Sequence, residues 1–166
     1  PFEASIAGDI DFGDIDGDND LDLIMAGKDA LGNVFTKMYL NDGMGTFTLV
    51  NGTSFVPVWS SSTEFLDIDN DSDLDLLICG ANASNVSTTN LYKNNGSGVF
   101  SQVAGVPFDN AQFGDIAFGD TDNDGDQDIL IVGQNDSGQN IAKFYINNGT
   151  SFSILPNTPF PGTYLH

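Results

Sequence analysis

The chain has 166 residues, of which 24 are acidic and only four basic, for a formal net charge of −20. So large an acidic excess excludes a nucleic-acid binder, which needs cations facing phosphate, and excludes attraction to anionic membrane surfaces. With 40% hydrophobic residues the chain is not a disordered acidic tail, and no stretch is apolar for long enough to span a membrane.

Internal repetition organises everything else. Asp14, Asp67 and Asp120 are spaced by 53 residues, and Phe12, Phe65 and Phe118 keep that spacing, as do Gly27, Gly80 and Gly133. The first unit covers 1–53. Its start, Pro1-Phe2-Glu3-Ala4, reads as a mature end and not as a signal peptide. Phe12-Gly13 closes a first strand, the loop Asp14 to Asp22 (DIDGDNDLD) follows, and an apolar run ending at Gly27 predicts a second strand. Asn41-Asp42-Gly43 predicts a tight hairpin between the third and fourth strands.

The second unit, 54–106, follows the same plan. Phe65-Leu66 precedes the loop Asp67 to Asp75 (DIDNDSDLD), and Asn94-Asn95-Gly96 marks the hairpin. Cys79, the only cysteine, lies in the apolar run Leu76-Leu77-Ile78-Cys79, where it is expected to be a small buried hydrophobe. In the third unit, 107–158, the segment 113–119 alternates apolar with small or polar residues and predicts a strand. The loop Asp120 to Asp128 (DTDNDGDQD) comes next. Ile129-Leu130-Ile131-Val132 then predicts a strand buried on both faces. Strands over 142–146 and 152–155 flank a hairpin at Asn147-Asn148-Gly149. Residues 159–166 begin with Pro159-Phe160, which repeats Pro107-Phe108 and reads as the start of a further repeat or a tail.

Four short strands per 53 residues, repeated, predict an all-β fold: three four-stranded antiparallel sheets that are β-propeller blades. A sandwich or solenoid accounts for the even spacing less well. Propellers close with about four to eight blades, so three blades imply part of a larger ring or half of a six-bladed dimer. The expected partners are other propeller blades, from a longer chain or from a second copy.

The three loops carry 15 of the 24 acidic residues. Acidic side chains fall at positions 1, 3, 5, 7 and 9: Asp14, Asp16, Asp18, Asp20 and Asp22; Asp67, Asp69, Asp71, Asp73 and Asp75; Asp120, Asp122, Asp124, Asp126 and Asp128. Calcium takes about six to eight oxygen ligands. Side chains 1, 3 and 5, a main-chain carbonyl at 7 and a carboxylate at 9 would supply them. The expectation is up to three Ca2+ ions, one per blade. An EF-hand is excluded, because its bidentate Glu at position 12 is replaced by Met25, Ile78 and Ile131. Position 6 needs a residue that tolerates a left-handed backbone: Gly125 serves best, Asn19 next and Ser72 worst. That ranks the predicted affinities as loop 3, then 1, then 2.

An enzyme is not expected. His166 is the only histidine, so a serine nucleophile has no base, and Cys79 has no partner. Glu3 and Glu64 occupy similar places before the loops and would form an acid/base pair only by chance. The segments 28–34, 81–88 and 134–140 are rich in Asn, Ser and Gly, which suits a polar ligand such as a glycan and equally suits ordinary turns. Trp59, the only tryptophan, is weighed as a sugar platform against core or rim packing.

At these residues the chain resembles the FG-GAP and VCBS repeats of integrin-α-like propellers. Phe118-Gly119, the loop Asp120 to Asp128 and Gly133 match the pattern of an FG strand end, a DxDxDGxxD loop and a strand ending in glycine. The first unit matches with Asn19 at the glycine position; the middle one departs at Leu66 and Ser72. The resemblance implies calcium in the loop joining the first two strands of each blade, where it rigidifies the fold and does no chemistry. It implies an extracellular or cell-surface module with a structural, adhesion or ligand-binding role. The ligand would be a glycan, as in a lectin-like propeller, or an extracellular protein. An accessory domain of a secreted polysaccharide-active enzyme is the further alternative.

Overall fold

The computed structural model describes residues 2–156; Pro159-Phe160 and His166 lie outside them. Blade 1 contains β1 (Ile6–Gly13), β2 (Asp22–Lys28), β3 (Val34–Leu40) and β4 (Thr48–Leu49). Blade 2 contains β5 (Trp59–Leu66), β6 (Asp75–Ala81), β7 (Ser87–Lys93) and β8 (Ser101–Gln102). Blade 3 contains β9 (Gln112–Gly119), β10 (Asp128–Gln134), β11 (Asn140–Asn147) and β12 (Phe152–Ile154). Each blade is an antiparallel meander in sequence order, and the innermost strands β1, β5 and β9 lie side by side. The expected architecture of three four-stranded blades is present, and the described blades do not close a ring.

The continuous apolar runs have a direct cause. Every residue of β6 is buried, because successive side chains point to opposite faces and both faces meet a blade. Leu76 and Ile78 pack toward blade 1 with Ile24, Ala26, Met38 and Tyr92. Leu77 and Cys79 pack toward blade 3 with Ile116, Ile129, Ile131 and Tyr145. Cys79 is fully buried, and burial pushes its thiol up to about 12, so it is the inert hydrophobe expected.

The linkers lock one blade to the next. Thr36 Oγ1 donates to Val56 O at 3.1 Å and accepts from Val58 N at 3.2 Å, while Tyr92 Oη accepts from Val56 N at 2.9 Å. One repeat later Thr89, Asp109, Ala111 and Tyr145 reproduce the same set. Phe55 and Phe108 pack edge-on against Tyr92 and Tyr145, and Phe2 does the same against Tyr39 on the outer face of blade 1.

Two local features differ from expectation. The Asn/Asp-Gly signals do not form two-residue hairpins; the connections are 41–47, 94–100 and 148–151. Asp42 Oδ1 accepts from Met44 N and Thr46 N, and Asn95 Oδ1 from Ser97 N and Val99 N, so a side-chain oxygen closes a wider turn. The first strand of each blade also carries a bulge, with positive φ at Ala7, Ser60 and Phe113.

Candidate metal loops

Each Asp loop joins the first and second strands of its blade, and its local order comes from its own carboxylates. Position 1 organises the turn: Asp14 accepts from Gly17 N and Asn19 N at 2.8 and 3.0 Å. Asp67 accepts from Asp71 N and Ser72 N, and Asp120 from Asn123 N and Gly125 N. Position 5 accepts from the amide of position 7 in all three loops. These bonds curl the chain so that side chains 1, 3 and 5 converge. Asp14, Asp16 and Asp18 bring carboxylate oxygens within 4.8 Å of one another, as do Asp67, Asp69 and Asp71, and Asp120, Asp122 and Asp124.

Positions 7 and 9 have other surroundings. Asp20, Asp73 and Asp126 stand against Gly43, Gly96 and Gly149 of the turn between the third and fourth strands, where a Cβ would meet the carboxylate. Asp22 is buried and accepts from Ile15 N at 3.2 Å and Asn41 N at 2.8 Å. Asp128 repeats this with Thr121 N and Asn147 N and adds the Thr121 hydroxyl; Asp75 accepts from Asn94 N. Position 9 therefore ties the loop to the end of the third strand.

The backbone at position 6 is left-handed as expected, with φ of 70° at Asn19, 75° at Ser72 and 97° at Gly125. Position 4 is left-handed too, at Gly17, Asn70 and Asn123. Sequence reasoning missed this, although Gly or Asn at position 4 of every loop was the signal. Loops 1 and 3 thus each pair one Gly with one Asn, whereas loop 2 pairs Asn with the less tolerant Ser.

The electrostatics follow from crowding like charges. Burial, then Asp18, raises Asp16; desolvation, then Asp124, raises Asp122. Burial raises Asp22, and pushes Asp75 up to about 6. Asp16 Oδ1 and Asp69 Oδ1 are buried with no hydrogen-bond partner. An orphaned carboxylate oxygen inside an all-oxygen cluster fits a hard divalent cation. Loop 2 differs from the others in carrying a cation of its own: the Lys93 ammonium forms an ion pair with Asp69 Oδ2.

The loops are also clamped by the following blade. Asn94 Nδ2 donates to Ile15 O of loop 1 at 2.7 Å, and Asn147 Nδ2 to Ile68 O of loop 2 at 2.9 Å. Asn70 Nδ2 of loop 2 donates to Asp126 Oδ1 of loop 3 at 2.7 Å.

The other candidates are placed apart. Glu3 pairs with Lys37 at 2.6 Å. Glu64 lies on β5 facing Asp11 and Asp9 of β1 and Asp115 of β9, and burial plus those neighbours pushes its carboxyl up to about 7. The Lys28 ammonium sits 3.2 Å from the centroid of the Trp59 ring and Phe113 meets that ring edge-on, so Trp59 is engaged in rim packing. A polar cleft of ≈ 420 Å³ between blades 2 and 3 is lined by Ser87, Asn110, Asn135, Asp136 and Gln139, taking in part of the 134–140 segment. Among the described residues no helix is long and apolar enough to cross a membrane.

No curated protein matches the chain. A family model described as the FG-GAP-like repeat matches it twice, over residues 14–78 and 67–131, each match running from one Asp loop into the second strand of the next blade. Together the two matches span well over half of the sequence, and the chain belongs to the FG-GAP-like repeat family.

Proposed function

We propose that this chain is a calcium-binding propeller module with a structural, adhesion or ligand-binding role outside the cell or at its surface. One observation carries the reading: three clusters of converging carboxylates recur at the same place in three blades, two of them with a buried, unpartnered oxygen. A divalent cation there would supply the positive charge that these clusters lack. Asp14, Asp67 and Asp120 hold the turn, Asp16, Asp18, Asp69, Asp71, Asp122 and Asp124 face the ion, and Asp22, Asp75 and Asp128 tie the loop to the third strand. Because Asn94 and Asn147 bridge blades, stiffening a loop also stiffens the seam beside it. Millimolar calcium outside cells suits such loops. The role is binding and structural, not catalytic.

Further blades are the proposed partners. Leu130, Val132 and Phe144 on the free face of blade 3 are half-buried, while Leu77, Cys79 and Leu91, their counterparts in blade 2, are buried against blade 3. The polar cleft between blades 2 and 3 favours a glycan as a second reading, and a glycan array tests it. Thermal unfolding tests the calcium reading. Millimolar CaCl2 is expected to raise the midpoint over that in EDTA, and Asp14→Asn with Asp120→Asn to remove most of the rise. An unchanged midpoint in the native chain would sink it.

A further inference from the structure

We propose that Lys93 is a tethered counter-ion that sets loop 2 apart, holding it closed without metal and making it the last loop to fill. This rests on the calcium reading above. Of the four lysines, Lys28 covers Trp59, Lys37 pairs with Glu3 and Lys143 pairs with Asp109; Lys93 is the one whose ammonium reaches an Asp-loop carboxylate. It sits at the end of β7, immediately before Asn94, whose amide donates to Asp75 at position 9. The repeat-equivalent residues at the ends of the third strands are Leu40 and Ile146, so the blade does not need a lysine there for packing.

The chemistry makes Lys93 a competitor and not a ligand. An ammonium only donates, so it occupies Asp69 Oδ2 while leaving Asp69 Oδ1 buried and unpartnered. Its single charge neutralises part of the cluster formed by Asp67, Asp69 and Asp71. The side chains of Lys93 and Asp69 are 43% and 25% exposed, so the pair is weak enough to be displaced by a divalent ion. Displacement still leaves a tethered cation beside the bound one. The repulsion between a double and a single charge about 6 Å apart in a water-like dielectric lowers affinity by about tenfold. Ser72, at φ 75°, adds backbone strain in the same loop. Loop 2 lies between loops 1 and 3 and is bonded to blade 3 through Asn147 and Asn70, so its late filling makes the seam between blades 2 and 3 the part that responds to changing calcium.

Calcium titration of the full chain by calorimetry tests this, comparing the native protein with Lys93→Met and with Lys93→Arg. The native chain is expected to show two stronger sites and one weaker. Lys93→Met should strengthen the weak site by about tenfold and leave the others unchanged, whereas Lys93→Arg should keep it weak. In EDTA the Met variant should melt below the native chain, and saturating calcium should remove that difference. An unchanged weak constant in Lys93→Met, or a gain at the strong sites instead, overturns the role of Lys93 and leaves the calcium reading standing. Lack of calcium binding in all three proteins overturns the calcium reading itself. Should the Met variant not fold, Lys93→Gln carries the same comparison with a polar side chain.

Discussion

Glu64→Gln is expected to stabilise the protein, and to do so only where the carboxyl would ionise. Glu64 lies on the central strand of the three inner strands, half-buried, with Asp11 and Asp9 on one side and Asp115 on the other. Its carboxyl rises from 4.5 to about 7. A raised acid favours the folded state while protonated. Stability is therefore fully present below about pH 4.5 and falls as pH climbs through about 7. A rise of this size corresponds to about 3 kcal/mol if nothing screens it. Glu64 is only partly buried, and water screens part of the interaction, so about 1.5 kcal/mol is the working figure. The assay is urea denaturation of native and Glu64→Gln proteins in EDTA at about pH 5 and about pH 8, with the difference between proteins as the readout. Carboxylates distant from Glu64 titrate alike in both proteins and cancel. The gap should favour glutamine and widen by about 1 kcal/mol between the two pH values. A gap independent of pH, or one favouring glutamate at the higher pH, would refute the reasoning.

Two more substitutions probe the loops and their clamps. Asn147→Ala removes the buried bond to Ile68 O and should cost about 1–2 kcal/mol in denaturation experiments; a cost near zero denies the clamp. Ser72→Gly relieves a left-handed backbone worth about 1 kcal/mol and should raise the calcium affinity of loop 2 a fewfold in calorimetry; a loss of affinity would contradict the strain argument.

Much of the fold was legible because a repeated physical demand leaves a repeated residue. A blade buried on both faces needs an unbroken apolar second strand, and Leu76-Leu77-Ile78-Cys79 is one. Left-handed backbone at position 6 asks for Gly or Asn, and two of three loops comply. Other features were hidden because unrelated residues meet the same demand. Ala7, Ser60 and Phe113 share a bulge conformation and have no side-chain property in common. Asn41, Asn94 and Asn147 read as hairpin residues, yet Asn94 and Asn147 reach across to the preceding blade's loop, a contact that a linear pattern does not contain. Lys93 stands 24 positions from Asp69 in sequence, so only the pairing of β6 with β7 brings its strand end beside the loop.

The central claim is that the converging carboxylates at positions 1, 3 and 5 hold calcium. Crystals grown in calcium and measured for anomalous scattering test it most directly. The account predicts anomalous peaks enclosed by Asp14, Asp16 and Asp18 and by Asp120, Asp122 and Asp124, with a peak at Asp67, Asp69 and Asp71 that strengthens as calcium is raised. Well-ordered loops with no peak in any of the three clusters would contradict it.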